Sequence, residues 1–217
     1  MEIEVVNGVY EYNKEHAQVN RKLFNKNNVL VINILSSPGS GKTSLLMQTI
    51  KNIGNNYRIG VIEGDVSSTY DAQKIKEYID DVVQINTGGT CHLNASMVEK
   101  ALKKINVKNI DILFIENVGN LICPVGYDLG EDHKVLLSSV SEGDDKPVKY
   151  PKAFIKSDAI ILNKIDLLQN SDFNYEFFEK KVRELNTQSP IIKLSCKNGE
   201  GINDWIKWVI EKKENKK

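Results

Sequence analysis

A glycine-rich octapeptide, Ser36-Ser37-Pro38-Gly39-Ser40-Gly41-Lys42-Thr43, follows an apolar run and leads straight into a helical pattern. Gly39 and Gly41 let backbone amides turn inward, and the following helix adds the positive end of its dipole, so the segment can cradle a phosphate. Pro38, Gly39, Ser40, Gly41, Lys42, Thr43 and Ser44 are the expected phosphate contacts. Lys42 would reach the β- and γ-phosphates, and the Thr43 hydroxyl would ligate Mg²⁺. The first position is Ser36 where the usual pattern has Gly, which leaves the backbone turn there open. A Gly/Ser turn that merely precedes a helix is the rival reading. Strand, loop, Lys-Thr and helix in that order favour a nucleoside triphosphate.

Asn163-Lys164-Ile165-Asp166 closes a later apolar run. A carboxylate at Asp166 can accept two hydrogen bonds from guanine, from its ring N–H and its exocyclic amine. Adenine lacks that pair of donors, and a site built for them rejects it because its own acceptor stays unpaired. Lys164 would lie along the base plane. Ser195-Cys196-Lys197 ends the next run and is similar to the Ser-Ala-Lys loop whose backbone amide meets the guanine oxygen, with Cys196 read as a packing residue. Ligands of parallel sheets gather at such strand ends. GTP and GDP are therefore expected over ATP.

Asp65, in Glu63-Gly64-Asp65, is placed to hold Mg²⁺ directly or through water. Glu116-Asn117-Val118-Gly119 is similar to the Asp-x-x-Gly switch of GTPases, with Glu in place of Asp. Glu116 would act on the Mg²⁺ shell or on the attacking water, and the Gly119 amide would sense the γ-phosphate. Lys42, Asp65, Glu116 and Gly119 thus form the expected catalytic set, with Thr43, Asp65 and Glu116 around Mg²⁺. Asp71 is a weaker choice for positioning water and reads equally well as a helix cap. With no evident counterpart of a catalytic glutamine, intrinsic hydrolysis is expected to be slow and to be accelerated by a partner or by dimerisation.

Cys91 and His92 sit in Gly88-Gly89-Thr90-Cys91-His92, and Cys123 follows Gly119 by four positions. Thiolate and imidazole suit Zn²⁺ or Ni²⁺. Adjacent residues reach one ion only across a bend, which the two glycines permit. Composition alone leaves the three residues as either metal ligands or incidental neighbours. As ligands they leave a tetrahedral site one short, and a symmetric dimer or water would complete it. Because Cys123 hangs from the expected γ-phosphate sensor, reordering of that loop would move a ligand and couple metal affinity to nucleotide state.

The elements that must position these residues alternate in type. Apolar runs at Val29 to Leu35, Arg58 to Glu63, Asp81 to Ile85, Ile110 to Glu116, Ala159 to Asn163 and Ile191 to Ser195 read as strands covered on both faces. Val135 to Val140 is ambiguous and leans to strand. Helical patterns at Thr43 to Asn52, Asn94 to Ile105 and Tyr175 to Leu185 lie between them, which implies crossover units and a mostly parallel sheet. Tyr12, His16, Val19 and Leu23 fall at helical spacing, so about Val9 to Lys26 is predicted to be an amphipathic helix with that stripe inward and His16 at the core edge. Ser141 to Pro151 reads as the longest loop. Ile202, Ile206, Val209 and Ile210 close the chain as a helix with Trp205 and Trp208 on the sheet. No repeat, low-complexity region or linker divides the chain. The organisation expected is an N-terminal helical segment, 1–28, packed on a nucleotide-binding domain, 29–217.

In 217 residues, 29 Lys and Arg balance 29 Asp and Glu, so no global field favours nucleic acid or an anionic membrane. The local basic excess from Glu211 to Lys217 reads as a frayed, solvated helix end. No run of about 18 apolar residues is present, and Met1-Glu2-Ile3-Glu4 is acidic, unlike a secretory signal, so a cytoplasmic protein is expected. Three cysteines, an odd number, argue against a disulfide framework.

Taken together, these strings resemble one family, the hydrogenase nickel-incorporation GTPases called HypB, within the SIMIBI class of P-loop NTPases. The resemblance runs from about Val29 to Gly201. It rests on the phosphate loop, Gly64-Asp65, Gly88-Gly89-Thr90-Cys91-His92-Leu93, Glu116-Asn117-Val118-Gly119-Asn120-Leu121-Ile122-Cys123-Pro124, Glu142-Gly143-Asp144-Asp145-Lys146-Pro147 with Lys149-Tyr150-Pro151, and Asn163-Lys164-Ile165-Asp166. It implies an α/β fold with a mostly parallel central sheet flanked by helices, and GTP hydrolysis coupled to nickel delivery into the large subunit precursor of [NiFe]-hydrogenase. It also implies work with the accessory protein HypA, a GTP-promoted homodimer, and a Zn²⁺ or Ni²⁺ site on Cys91, His92 and Cys123. Lys146 and Lys149 become dimer or nucleotide contacts under it. Residues 1–28 hold no cysteine and only His16, so the N-terminal cysteine motif or histidine-rich store of some members is not expected here. The urease accessory GTPase is the nearest rival, but its Cys-Pro-His motif is replaced by Cys123-Pro124-Val125. A regulatory GTP-binding module with structural cysteines, and a nucleotide kinase, are rivals of other kinds.

Overall fold

The computed structural model describes residues 8–66 and 68–216. The first seven residues of the N-terminal segment and Lys217 of the basic tail lie outside the described residues. Seven strands form one sheet: β1 (Leu30–Ser36), β2 (Ile59–Asp65), β3 (Val82–Asn86), β4 (Ile112–Glu116), β5 (His133–Ser139), β6 (Ala159–Asn163) and β7 (Ile191–Lys193). Their order is β3-β2-β4-β1-β5-β6-β7 and every pairing is parallel. The ambiguous run near Val135 is thus a central strand. Helices α1 (Gly8–Lys26), α2 (Lys42–Ile53), α3 (Tyr70–Lys76), α4 (Ala95–Leu102), α5 (Lys146–Lys149), α6 (Pro151–Ile155), α7 (Tyr175–Leu185) and α8 (Ile202–Glu214) cover both faces. Among the described residues, no helix is long and apolar enough to cross a membrane.

Strand β1 shows why the run is nearly continuous in apolar residues. Leu30, Ile32 and Ile34 face a cluster with Leu45, Leu46 and Ile50 of α2 and Trp205 and Val209 of α8. Val31 turns the other way, to Phe24 of α1 and Val98 and Leu102 of α4. Leu35 joins Phe154 of α6 and Phe178 of α7. Successive side chains alternate across a pleated strand, so a strand covered twice must be apolar at both parities. Each fully buried Leu or Ile contributes about 2 kcal/mol by area.

Three expectations are corrected. Helix α1 buries not Tyr12, Val19 and Leu23, which are 56%, 51% and 36% exposed, but Asn13, Ala17, Asn20 and Phe24. The two asparagines are inward because they have partners. Asn13 Oδ1 accepts the Ala95 N–H at 2.8 Å, satisfying a free donor at the start of α4, and Asn20 Nδ2 donates to the carbonyls of Ala95 and Leu129. His16 reaches Glu99 of α4 at 2.5 Å. The stretch Ser141 to Pro151 is not a long loop. Pro147 and Pro151 occupy the first turns of α5 and α6, where a missing N–H costs nothing. The basic tail is anchored, not frayed: Lys213 Nζ donates to the Asn28 carbonyl and Lys216 pairs with Asp132, each at 2.5 Å.

Candidate functional site

Because all strands run one way, their carboxyl ends meet along one edge, and the expected site residues lie on that edge, in the loops that leave it or in the helices that follow those loops. Strand β1 delivers the phosphate loop. Ser36 is its last residue and stays extended, so no left-handed turn is required there. Its hydroxyl accepts from Lys42 Nζ at 3.0 Å. Gly41 has φ of +101°, and a Cβ on it would lie 2.5 Å from Asn163 Nδ2, so both conformation and space demand glycine. Helix α2 starts at Lys42, which aims its free N-terminal amides at the loop. Ser40 is buried, and its hydroxyl donates to the Ser37 carbonyl at 2.7 Å and to Glu142 Oε2 at 3.1 Å.

The base-side residues surround a cavity of about 290 Å³ lined by Gly41, Ser44, Asn163, Lys164, Asp166, Leu167, Cys196 and Lys197. Asn163 does not face it freely. Its Nδ2 donates to the Ser40 carbonyl at 2.8 Å, and its Oδ1 accepts from the amides of Lys164 and Cys196 at 2.7 and 3.1 Å. It clips the base loops to the phosphate loop. Lys164 Nζ bonds the Gly39 carbonyl at 2.7 Å and Ser141 Oγ at 3.0 Å. Asp166 is oriented by Ser195, whose hydroxyl donates to Oδ1 at 2.6 Å, with Lys197 Nζ 3.9 Å from Oδ2. Burial pushes the Cys196 thiol up to about 11, which fits a packing residue.

Acidic groups collect beside Thr43. Its hydroxyl donates to Glu116 Oε1 at 3.3 Å, while Oε2 of Glu116 is buried without a hydrogen-bond partner. Burial pushes Glu116 up to about 7 against the pull of Lys42, and Asp71 adds to the rise. Asp65 ends β2 and accepts the Ser68 N–H at 2.6 Å. Asp71 stands in the first turn of α3, one residue inside the helix, so the cap position belongs to Thr69. An orphaned carboxylate oxygen, a hydroxyl and further acids are a donor set that fits Mg²⁺, which takes oxygen ligands and keeps waters. Gly119 lies against the phosphate loop, because a Cβ on it would be 3.0 Å from the Pro38 nitrogen.

The ligand atoms of Cys91, His92 and Cys123 lie within 4.8 Å of one another. The turn that presents the first two is tied by reciprocal bonds of 2.7 Å between Thr87 and Thr90. The Asn120 side chain fixes the other arm by accepting from the Ile122 and Cys123 amides. The Cys91 thiol raises the pKa of Cys123, and burial lowers that of His92, favouring the neutral imidazole that binds metals. His92 stacks on Tyr127 with ring centroids 3.9 Å apart. Beside it opens a groove of about 710 Å³ whose walls include Ile122, Val125, Tyr127 and Ile155, with Lys152 and Lys156 at its margin.

Residues 30–193 match the family described as CobW/HypB/UreG, nucleotide-binding domain. The hydrogenase maturation factor HypB of Azotobacter vinelandii is 46% identical over 197 residues, covering 91% of this chain and 65% of that protein. The chain belongs to the HypB family. The crystal structure of HypB from Helicobacter pylori in complex with nickel is similar with a TM-score of 0.89 at 36% identity, over 95% of this chain and 97% of that one. HypB from Archaeoglobus fulgidus gives 0.87 at 39%, over 93% and 98%. The chain therefore spans somewhat under two thirds of the Azotobacter relative and nearly all of the two solved HypB chains.

Within this HypB frame, two residues at the site escaped pattern reading. Glu63 is buried, pairs in register with Glu116 on the neighbouring strand, and has a buried Oε2 without a hydrogen-bond partner. Burial first, then Glu116, Asp65 and Asp71, push it up to about 8. Strand alternation was the available signal, since Glu63 must share a face with Asp65 two positions on. Glu142 is the second. Its Oε2 accepts from the Ser139 amide, the Ser139 hydroxyl and Ser40, so it ties the end of β5 to the phosphate loop.

Proposed function

We propose that this chain is a GTPase that couples GTP binding and hydrolysis to nickel delivery during [NiFe]-hydrogenase maturation. One observation carries the reading. The segment from Glu116 to Cys123 touches the phosphate loop at Gly119 and ends in a thiol beside Cys91 and His92. A single short loop thus spans both centres. The similar HypB of Helicobacter pylori is described in complex with nickel, which supports nickel as the cargo.

The phosphate loop and Lys42 bind and orient the triphosphate, and Asp166, held by Ser195, selects guanine. Thr43, Glu116 and Asp65, with Glu63 on the neighbouring strand, would hold Mg²⁺, which would supply positive charge to neutralise the phosphates. Glu116, whose buried carboxyl stands beside the Thr43 hydroxyl, positions the attacking water or the Mg²⁺ shell. Slow intrinsic hydrolysis is expected, since the sequence has no evident counterpart of a catalytic glutamine. Cys91, His92 and Cys123 hold Ni²⁺ or Zn²⁺ with one position left over, which a second copy of the chain fills in a GTP-promoted homodimer. HypA and the hydrogenase large subunit precursor are the partners this role requires. All three cysteines are free, the form that thiolate ligation needs and that a reducing cytoplasm maintains. The GTPase unit begins at residue 29 in this reading, and α1 of the preceding segment braces it through Asn13 and Asn20.

Phosphate release from GTP and from ATP tests the enzyme. The expected result is free phosphate from GTP alone, and loss of GTP binding in Lys42→Ala. Normal affinity in that variant contradicts the phosphate-loop assignment, and transfer of phosphate to an acceptor points to a kinase.

A further inference from the structure

Asn117 follows Glu116 at the end of β4, and its side chain is fully buried. Its Oδ1 accepts two backbone N–H groups, from Val118 at 3.0 Å and from Leu93 at 3.2 Å. Its Nδ2 donates to Asn33 Oδ1 at 3.2 Å, and its own N–H donates to the Ile34 carbonyl at 3.1 Å. One side chain therefore joins the loop that carries Gly119 to the residue immediately after His92. Asn33 in turn donates to Glu131, which pairs with Lys134, so the latch is backed by a buried polar chain that a purely apolar core would not need.

Leu93 is gripped from a second side. It is fully buried, and a Cβ on Gly64 would lie 2.8 Å from its Cγ and Cδ1. Gly64 stands between Glu63 and Asp65, so the strand that carries those acids leaves out a side chain where Leu93 packs. The Cys91–His92 turn is thus seated on the ends of β2 and β4, the two strands that bring the acids to Thr43.

We propose that Asn117 is a positioning residue that transmits nucleotide state to the Cys91–His92 half of the metal site, while Cys123 responds through its own loop. The proposal rests on the nickel-delivery reading above. A buried N–H that loses its acceptor is heavily penalised, so Leu93 follows Asn117 and does not part from it. Both halves of the metal site then answer to the same event, and a shift of the Gly119 loop changes the separation of the ligands from two sides.

The test is the Ni²⁺ affinity of the full chain with GDP and with a non-hydrolysable GTP analogue. It is measured for wild type, Asn117→Ala and, as a control for general loosening of the core, Thr49→Val on the opposite face of the sheet. The expected result is a ratio between the two affinities that falls at least about fivefold in Asn117→Ala and is kept in Thr49→Val. An unchanged ratio in Asn117→Ala, or an equal loss in Thr49→Val, overturns the proposal. Should Asn117→Ala fail to bind nucleotide, amide hydrogen exchange of Leu93 in the wild type decides. A change of at least ~tenfold between the two nucleotide states supports the latch, and identical exchange overturns it. Equal Ni²⁺ affinity in both states of the wild type sinks the delivery reading and the latch together. A wild type that discriminates, beside an Asn117→Ala that discriminates equally, sinks the latch alone.

Discussion

In the proposed function, selectivity for the base rests on one carboxylate and the hydroxyl that aims it. Asp166 lines the cavity, its Oδ1 accepting from Ser195 Oγ at 2.6 Å and its Oδ2 3.9 Å from Lys197 Nζ. Changing Asp166 to Asn puts a donor where an acceptor stood, so guanine meets a like group and xanthine, which presents an oxygen, meets a complement. Asp166→Asn is expected to lose GTP affinity by at least about a hundredfold and to gain for xanthosine triphosphate, in competition binding. An unchanged preference for GTP contradicts the assignment. The same scale explains what pattern reading missed. Glu63 looked like one more residue of a buried strand, and only its register with Glu116 shows two buried carboxylates side by side. Asn163 was expected at the base but spends its amide on Ser40, Lys164 and Cys196, bonds that no linear motif displays.

Helix α2 ties the two ends of the nucleotide site together. It carries Lys42 and Thr43 at its start, and Gln48 Nε2 donates to the Cys196 carbonyl of the base loop at 2.9 Å. Its buried side is fixed to α8 by the Trp205 indole, which donates to Thr49 Oγ1 at 2.8 Å where both residues are fully buried. Thr49→Val keeps the shape and strands the indole N–H. Urea unfolding is expected to show a loss of about 1–3 kcal/mol with nucleotide affinity unchanged. A loss inside ordinary experimental scatter shows that the bond is dispensable. Six of the strands are readable because strands covered on both faces have few polar positions, as β1 shows, whereas the run that forms β5 reads as ambiguous. Helix α1 was read with the wrong side inward because its contacts are polar. Asn13 and Asn20 face in to cap α4 and hold the Leu129 carbonyl, and a hydrophobic count scores them as solvent-facing. Pro147 and Pro151 signalled a loop, yet proline at a helix start is favourable, and the distinction depends on neighbours that fold around it.

Across the whole molecule, parallel topology places the nucleotide residues, the acids and the Cys91, His92 and Cys123 cluster on one edge of one sheet. The groove beside His92 and Cys123 exposes Ile122 and Ile155 next to Lys152 and Lys156, an apolar floor with a basic margin beside that candidate metal site. If a second copy completes that site in the GTP state, light scattering shows about twice the mass with a GTP analogue as with GDP. Equal masses remove the dimer from the account. In the proposed function, nucleotide state acts on metal affinity through the loop from Glu116 to Cys123. A calorimetric Ni²⁺ titration of the wild type, run once with GDP and once with a non-hydrolysable GTP analogue, addresses it most directly. Dissociation constants that differ by at least about fivefold are predicted, and Cys91→Ala is expected to abolish the binding in both states. Identical constants in the two states would contradict the account, leaving a guanine-nucleotide enzyme and a metal site with no link between them.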